Sequence, residues 1–369
     1  MRHAISTQAR IPELDSFRAI AVLMVLLSHC VYGWPIPPES ISWIPRLPLV
    51  FLSHGWLGVD LFFILSGFLI TGLLIDARQQ SGYFRNFYAR RVLRIVPLYF
   101  VCILFMYWAY RGYASYFGLS LLFLANFSTY FGVAVPHGPG VFWSLAVEEH
   151  FYLIWPLLIR YLSRRVLLWL SLSIVVASPV LRGLGVFAGM DVEGEVYVYS
   201  VFRFDGLALG ALLAIWFRSP NFTKPGALKL AALLIAATVG ITLCGLPYGV
   251  MSGATIAGVA LRYTQAQLMF AACIALALAY RGGNGTRFLR TKFASLTSDY
   301  SYCIYLIHLS LGDLYYWVLR SYAVNDVVLL GAVGALGIRS LAVVGSSFFL
   351  AHLSKRFLED PFLRLKIFF

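Results

Sequence analysis

The chain has 369 residues, of which 60% are hydrophobic and only 12% are charged, and its mean hydropathy is +0.79. Soluble domains average about 25% charged residues, so this composition excludes an ordinary soluble protein. The formal net charge of +13 does not indicate nucleic-acid binding, because the basic residues lie in short segments between apolar runs. This arrangement is typical of a polytopic membrane protein. The lipid bilayer is therefore the first partner that the sequence predicts.

Eleven apolar runs of roughly transmembrane length follow one another along the chain. They cover 17–34, 49–75, 92–111, 116–131, 143–161, 166–187, 199–217, 227–246, 264–280, 297–319 and 327–352. If 116–131 is re-entrant or interfacial, about ten transmembrane helices remain, and 22 of the 29 Lys and Arg residues lie on the same side as both termini. The positive-inside rule makes that side cytoplasmic.

We therefore predict an all-α polytopic protein of the cytoplasmic (inner) membrane with both termini in the cytoplasm. A single transmembrane domain covers 1–369, and 353–369 forms a short basic cytoplasmic tail. The loop around Gly283 is expected in the cytoplasm, whereas Pro37 and Glu193 are expected outside. The five cysteines have no metal-like spacing, so no metal site is expected.

Several ionisable residues lie inside the apolar runs, where each costs at least about 2.5 kcal/mol on insertion scales. They are His29, Asp60, Glu148, Glu149, Arg203, Asp205, His308 and Arg339. Most of them fall in the outer half of the predicted helices, which indicates one polar site. A structural interpretation stays open for Arg203 and Asp205 as residues paired with their neighbours, for Asp60 as a residue that stabilises a helix end, and for His308 as a hydrogen-bonded packing residue.

At these residues the chain resembles a known family, the membrane-bound acyltransferase family 3 of ten-helix O-acyltransferases. The resemblance rests on four dense motifs in order: 14–19 with His29 ten residues beyond Arg18, then 58–70, 87–97 and 143–153. Weaker matches are 203–205, 302–308 and 359–361. His150 departs from the family, whose members commonly carry Gln there. The esterase-like domain appended in some members has no counterpart in this sequence.

The resemblance implies transfer of an acyl group from cytoplasmic acyl-CoA to a hydroxyl of an extracytoplasmic glycan or lipid-linked sugar, as in polysaccharide modification. Acetyl-CoA is the favoured co-substrate, and no permanently bound cofactor is expected. Acylation of a small hydroxylated metabolite such as a macrolide, or succinyl transfer, stays open within this class. A proton-coupled transporter is the alternative from another class, because intramembrane His and carboxylate residues also form proton relays.

Roles for the site residues follow from the chemistry that acyl transfer requires. Arg18 and His29 are eleven positions apart, just over three helical turns. They therefore lie on the same face of one helix, about 16 Å apart along its axis. Arg18 and the helix-start cluster of Arg90, Arg91 and Arg94 are predicted to bind donor phosphates, although such arginines also serve as ordinary cytoplasmic anchors.

His29 is the predicted general base, because its reference pKa is close to 6.5. Glu148 or Glu149 is predicted to orient its ring as the acid does in a catalytic triad. Ser66 and Ser144 are candidate hydrogen-bond donors that also suit simple packing. Direct transfer and transfer through an acyl-enzyme remain equally open from the sequence.

Overall fold

The computed structural model describes residues 10–31, 52–323 and 329–369, and 84% of these residues are helical. The described residues contain no strand. The helices are α1 (Pro12–Val31), α2 (Gly58–Ala77), α3 (Tyr83–Ala109), α4 (Ala114–Leu121), α5 (Phe142–Tyr161), α6 (Arg164–Phe187), α7 (Ser200–Phe217), α8 (Lys224–Gly245), α9 (Ile256–Ala279), α10 (Lys292–Ala323), α11 (Leu329–Ser354) and α12 (Asp360–Arg364). The outer loop expected at Pro37 lies outside the described residues.

Local sequence signals set the ends of several helices. Pro12 opens α1, where its missing N–H costs nothing. The hydroxyls of Ser163, Thr223 and Thr255 accept from backbone N–H groups and cap α6, α8 and α9. Gly82 has a φ of 72°, a left-handed conformation that suits glycine and separates α2 from α3. Because nothing breaks the chain after Gly82, α3 begins at Tyr83 and already includes the arginine cluster that precedes the apolar run.

Eight helices in the described ranges are long and apolar enough to cross a membrane. Two more, α5 and α10, are equally long but carry more polar residues, among them Glu148 and Glu149 of α5. The predicted all-α polytopic architecture is therefore confirmed. Large apolar side chains face outward, as with Trp169 at 64% and Phe187 at 80% exposure on α6, which suits a surface against lipid.

The doubtful run 116–131 does not form a spanning helix. It contains most of the eight-residue helix α4, which is about 12 Å long, far short of a hydrocarbon core of about 30 Å. The Tyr99 hydroxyl of α3 donates to the Ser120 carbonyl at 3.0 Å, and its ring stacks on Phe123 at 5.0 Å. These contacts hold the segment against α3, in agreement with the re-entrant or interfacial prediction.

The chain forms two compact units, each discontinuous in sequence. The first unit comprises the chain up to Ala19, Asp60–Tyr83 and His150–Ser298. In this unit α2 and α7 pack closely through small residues, since a Cβ on Gly67 would collide with the Leu207 carbonyl and one on Gly210 with the Ile64 carbonyl. Glycines let membrane helices approach to backbone contact, so these two positions fix the α2–α7 spacing.

The second unit comprises Ile20–Val59, Phe84–Glu149 and Asp299–Phe369. Within it, the Tyr302 hydroxyl of α10 donates to the Ile95 carbonyl of α3 at 2.9 Å. Tyr300 bonds the ring of His352 on α11 at 2.8 Å. These two tyrosines fix the axial position of α10 relative to α3 and α11, and with it the axial position of the other side chains on α10.

Candidate functional site

Two histidines from opposite ends of the chain form the centre of the second unit. Nδ1 of His29 on α1 lies 2.9 Å from Nε2 of His308 on α10, and the ring centroids are 5.0 Å apart. His308 is only 2% exposed, whereas His29 is partly accessible. The structure therefore brings together the predicted base and the histidine for which sequence left a packing role open.

The hydrogen bonds of His308 determine which nitrogen of each neutral ring carries the proton. Nδ1 of His308 faces the carbonyls of Tyr305 at 2.8 Å and Ile304 at 3.1 Å. Carbonyl oxygens only accept, so His308 Nδ1 is the donor and its Nε2 is left with a lone pair. That lone pair accepts from Nδ1–H of His29, and the lone pair of neutral His29 is consequently on Nε2.

This arrangement differs from the predicted triad, because the partner on His29 Nδ1 is an imidazole instead of a carboxylate. Glu149 on α5 interacts electrostatically with Arg91 and Glu148. Tyr302, which lies at the level of Ile95, and Tyr99, one turn beyond Ile95 on α3, are also within its electrostatic reach. The structure thus places Glu149 toward the arginine cluster, and its Oε1 is buried with no hydrogen-bond partner among the described residues.

A second polar group lies near the histidine pair at the far end of α3. Asp313 of α10 accepts from the Tyr110 hydroxyl at 2.9 Å and from His137 at 2.6 Å. His137 acts electrostatically on His29, and Arg339 of α11 acts on both His137 and Asp313. Sequence reasoning assigned no role to Tyr110, His137 or Asp313, although a charged Asp313 within the run 297–319 was a usable signal, and it counted Arg339 among the intramembrane ionisable residues.

The Asp313 carboxylate perturbs its two loop-side partners. The hydrogen bond from His137 to Asp313 raises the pKa of His137 above its ordinary value of 6.5, and burial opposes this only in part. Burial and the adjacent Asp313 charge raise the pKa of the Tyr110 hydroxyl. Tyr110 is therefore a neutral donor at physiological pH, and His137 gains a charge more readily than a solvated histidine.

The predicted donor-binding arginines lie at the opposite end of α3. Arg90 Nη2 donates to the Phe369 carbonyl at 2.8 Å, and Arg85 lies over the Phe369 ring at 5.3 Å from its centroid. Arg94 is exposed, whereas Arg90 and Arg91 are partly buried. From Arg91 to Tyr110 the helix rises about 28 Å, so the second unit has a cationic end and a His137–Asp313 end.

Arg18 lies on α1 of the first unit and is partly buried. It precedes His29 by eleven positions on one continuous helix, so the predicted axial separation of about 16 Å stands. Ser144 belongs to the second unit; its hydroxyl donates to the Val141 carbonyl at 3.1 Å and lies 2.5 Å from the Tyr305 hydroxyl. Ser144 therefore supports Tyr305, whose ring contacts His308.

The remaining predicted polar residues form a separate network in the first unit. Arg203 pairs with Asp60 at 2.9 Å and Arg182 pairs with Asp205 at 2.7 Å, and all four side chains are fully buried. Gln267 bridges the two pairs by donating to Asp60 at 2.8 Å and to Asp205 at 3.1 Å. Two cations and two carboxylates balance within this network, which favours the structural interpretation left open by sequence.

Two further polar contacts support the same unit. The Ser66 hydroxyl accepts from Tyr152 at 3.0 Å, so it is engaged between α2 and α5. His150 bonds the Ser200 hydroxyl at 2.7 Å, which ties α5 to the first residue of α7. Both contacts join helices within the first unit, and a supporting role for Ser66 and His150 follows.

Comparison with known proteins identifies a matching family and several related sequences. The family model described as "Acyltransferase domain" matches residues 11–351. The peptidoglycan O-acetyltransferase OatA of Listeria monocytogenes is 27% identical over 95% of this chain and 55% of its own length. The O-acetyltransferase OatA of Staphylococcus aureus is 30% identical over 56% of this chain and 35% of its own length.

The chain thus spans about half or less of the length of these curated relatives. No solved structure is significantly similar to it. The family match covers nearly all of α1 to α11 and includes the histidine pair, the arginine cluster and the buried network. The chain belongs to the membrane-bound acyltransferase family 3.

Proposed function

We propose that the chain transfers an acetyl or other short acyl group from acyl-CoA to a hydroxyl of an extracytoplasmic glycan or lipid-linked sugar. Family membership supports acyl transfer, and the names of the relatives from Listeria monocytogenes and Staphylococcus aureus support an acetyl group and an O-linked acceptor. Peptidoglycan, named for the Listeria relative, is the acceptor class that this similarity favours.

The observation that carries the proposal is the chain of close contacts from the Tyr305 carbonyl through His308 to His29, from which the tautomer of His29 is inferred. Acyl transfer to a hydroxyl needs a base with an available lone pair beside the reacting oxygen. The chain from the Tyr305 carbonyl through His308 to His29 leaves that lone pair on Nε2 of a partly accessible ring. When His29 takes up a proton, its Nδ1–H stays bonded to His308, so no rearrangement accompanies the step.

The proposed reaction is balanced in atoms and protons. The acceptor hydroxyl oxygen forms a bond to the thioester carbonyl carbon while His29 Nε2 takes the hydroxyl proton. The carbon–sulfur bond then breaks, and the imidazolium returns the proton to the departing CoA thiolate. In this direct path His29 is the only residue that transfers a proton. Glu149, which interacts with Arg91, takes no part in the proton transfer.

The proposed orientation puts the arginine end of α3 in the cytoplasm, where acyl-CoA is made. The His137–Asp313 end then faces the outside, where the acceptor sugar is found. With this orientation the chain resides in the cytoplasmic membrane with both termini inside, as the distribution of basic residues predicts. The donor and the acceptor would therefore approach His29 from opposite sides.

The test is incubation of the purified protein with radiolabelled acetyl-CoA and peptidoglycan fragments. The proposal predicts release of free CoA together with base-labile label on the glycan. If only a small hydroxylated metabolite is labelled, the reaction is still acyl transfer but the proposed glycan acceptor is wrong. If only succinyl-CoA is used, the reaction is still acyl transfer but the proposed acetyl group is wrong. Label that crosses a proteoliposome membrane without CoA release would favour a transporter and overturn the enzyme.

A further inference from the structure

An anchored turn of the second unit presents an exposed imidazole near the histidine pair. The side chain of His137 is 59% exposed, whereas Pro136, Gly138 and Pro139 around it are buried. The Tyr116 hydroxyl of α4 donates to the Pro139 carbonyl at 2.8 Å, which holds the turn in place. The backbone is therefore fixed on both sides of His137, and the ring is already positioned for contact with a ligand.

Gly138 lets this turn approach the polar group on α3 and α10 closely. A Cβ at position 138 would lie 2.4 Å from the Tyr110 hydroxyl oxygen, 2.6 Å from Ser310 Oγ and 2.9 Å from Asp313 Oδ2. Any side chain at this position would have to displace the polar group, so the close approach requires glycine. Three segments that are distant in sequence thus converge on the Asp313 carboxylate.

The hydrogen bonds within this group leave an acceptor and a donor for a ligand. Asp313 accepts from His137 Nδ1 at 2.6 Å on Oδ1 and from the Tyr110 hydroxyl at 2.9 Å on Oδ2. Each carboxylate oxygen has a second lone pair, and the Asp313 side chain is 29% exposed, so it can accept again. Because Nδ1 of His137 bonds the carboxylate, Nε2 is its remaining polar atom and carries a hydrogen when the ring is charged. The raised pKa of His137 favours that charged form.

The group lies near enough to the predicted base for one acceptor molecule to contact both. Asp313 follows His308 by five positions on α10, which is an axial rise of about 7.5 Å. His137 acts electrostatically on His29, so the two imidazoles are close neighbours. Two hydrogen bonds of about 2.8 Å and the width of one sugar ring together span such a distance. An acceptor with its reacting hydroxyl at His29 can therefore place a second hydroxyl at Asp313.

We propose that Asp313 and His137 form an acceptor subsite, which binds a second hydroxyl group of the acceptor molecule while His29 acts on the hydroxyl that is acylated. The inference rests on the proposed function for the reaction and adds a requirement on the acceptor. A hydroxyl group both donates and accepts, so it matches a carboxylate that accepts and an imidazolium that donates. Sugars meet this requirement, whereas alcohols with a single hydroxyl do not.

The experiment measures acetyl transfer from acetyl-CoA to two acceptors, soluble peptidoglycan fragments and ethanol, which has no second hydroxyl. In Asp313→Asn the KM for the fragments should rise about tenfold, since a charged hydrogen bond is lost, while kcat stays within about twofold. His137→Ala should raise the same KM. Transfer to ethanol should be unchanged in both variants. Arg111→Gln is the matched control, because it removes an exposed charge one residue after Tyr110.

Binding measured without turnover separates the acceptor subsite from the proposed function. The fragments should raise the melting temperature of wild type and of Arg111→Gln more than that of Asp313→Asn or His137→Ala. If wild type acetylates neither acceptor but this difference remains, the proposed function fails and the acceptor subsite stands.

Two outcomes overturn the acceptor subsite. Equal KM values for the fragments and equal stabilisation by them in all variants show that the pair does not bind the acceptor. An equal loss of activity with the fragments and with ethanol shows that the pair only supports the structure around His29. Activities are measured well below each melting temperature. If Asp313→Asn does not fold, His137→Ala decides the test, since its ring is mostly exposed.

Discussion

Replacement of His308 by Phe tests how far the second histidine controls the first. The change keeps a ring of similar size in a site that is 2% exposed, so packing is largely preserved. It removes the acceptor that lies 2.9 Å from His29 Nδ1. His29 is then free to adopt the tautomer with its lone pair on Nδ1, which leaves a hydrogen instead of a lone pair on Nε2.

The size of the effect follows from the lost hydrogen bond. A buried donor left without a partner costs about 1–3 kcal/mol, which corresponds to about 5-fold to 150-fold in rate. The Val25 carbonyl, one turn earlier on α1, also bonds the His29 side chain and remains in place. This carbonyl should retain part of the preference for the His29 tautomer with its lone pair on Nε2, so we expect His308→Phe to lower kcat about tenfold.

The assay is steady-state release of CoA from acetyl-CoA by the purified protein. His308→Phe should lower kcat without changing the KM for acetyl-CoA, because His308 does not belong to the predicted donor-binding arginines. His308→Gln supplies a side-chain carbonyl that can accept from His29 and should recover most of the rate. A kcat above half of wild type in His308→Phe, or an equal loss in both variants, would refute the tautomer argument.

Three further outcomes test other parts of the structure. Asp60→Asn leaves the Arg203 charge buried without its partner and should lower the free energy of unfolding by about 3 kcal/mol. The double variant Asp60→Asn with Arg203→Gln should recover part of this lost stability. An unchanged melting temperature in Asp60→Asn contradicts the buried pair. Because Asp313 raises the pKa of His137, the pair stabilises the protein fully below about pH 6.5 and loses this contribution as pH rises through the raised pKa. Asp313→Asn should therefore flatten the pH dependence of the melting temperature above about pH 6.5, and an unchanged slope counts against the pair. Gly283→Cys in a cysteine-free background should react with an impermeant reagent only from the cytoplasmic side, and labelling in intact cells would invert the proposed topology.

The helices were predictable because the signals that determine them lie within the same short stretch of sequence. Apolar runs, Pro12 and the capping hydroxyls act within a few residues, and the short α4 was anticipated because charge counting did not allow a full crossing at 116–131. Arg18 and His29 share one helix, so their spacing also followed from sequence alone. Several helix ends differed: α3 begins at Tyr83 and α9 at Ile256, ahead of the runs 92–111 and 264–280, since helical geometry continued through the polar residues that precede these runs.

The partners of the site residues were not predictable, because long-range packing selects them. His29 and His308 are 279 positions apart, and their meeting depends on the alignment of α10 by Tyr300 and Tyr302. Adjacent Glu148 and Glu149 could not be assigned to a partner from their order. Phe369 looked like one more residue of a basic tail until its contact with Arg90 of α3 was seen.

The measurement that tests the central claim most directly is acyl transfer by His29→Gln. The variant keeps a polar side chain of similar size but has no basic lone pair at the position of Nε2. If His29 is the general base, kcat should fall by at least about a hundredfold, while membrane insertion and stabilisation by CoA stay as in wild type. A correctly inserted His29→Gln protein that retains more than about a tenth of wild-type activity would contradict the account and move the base to Glu148 or Glu149.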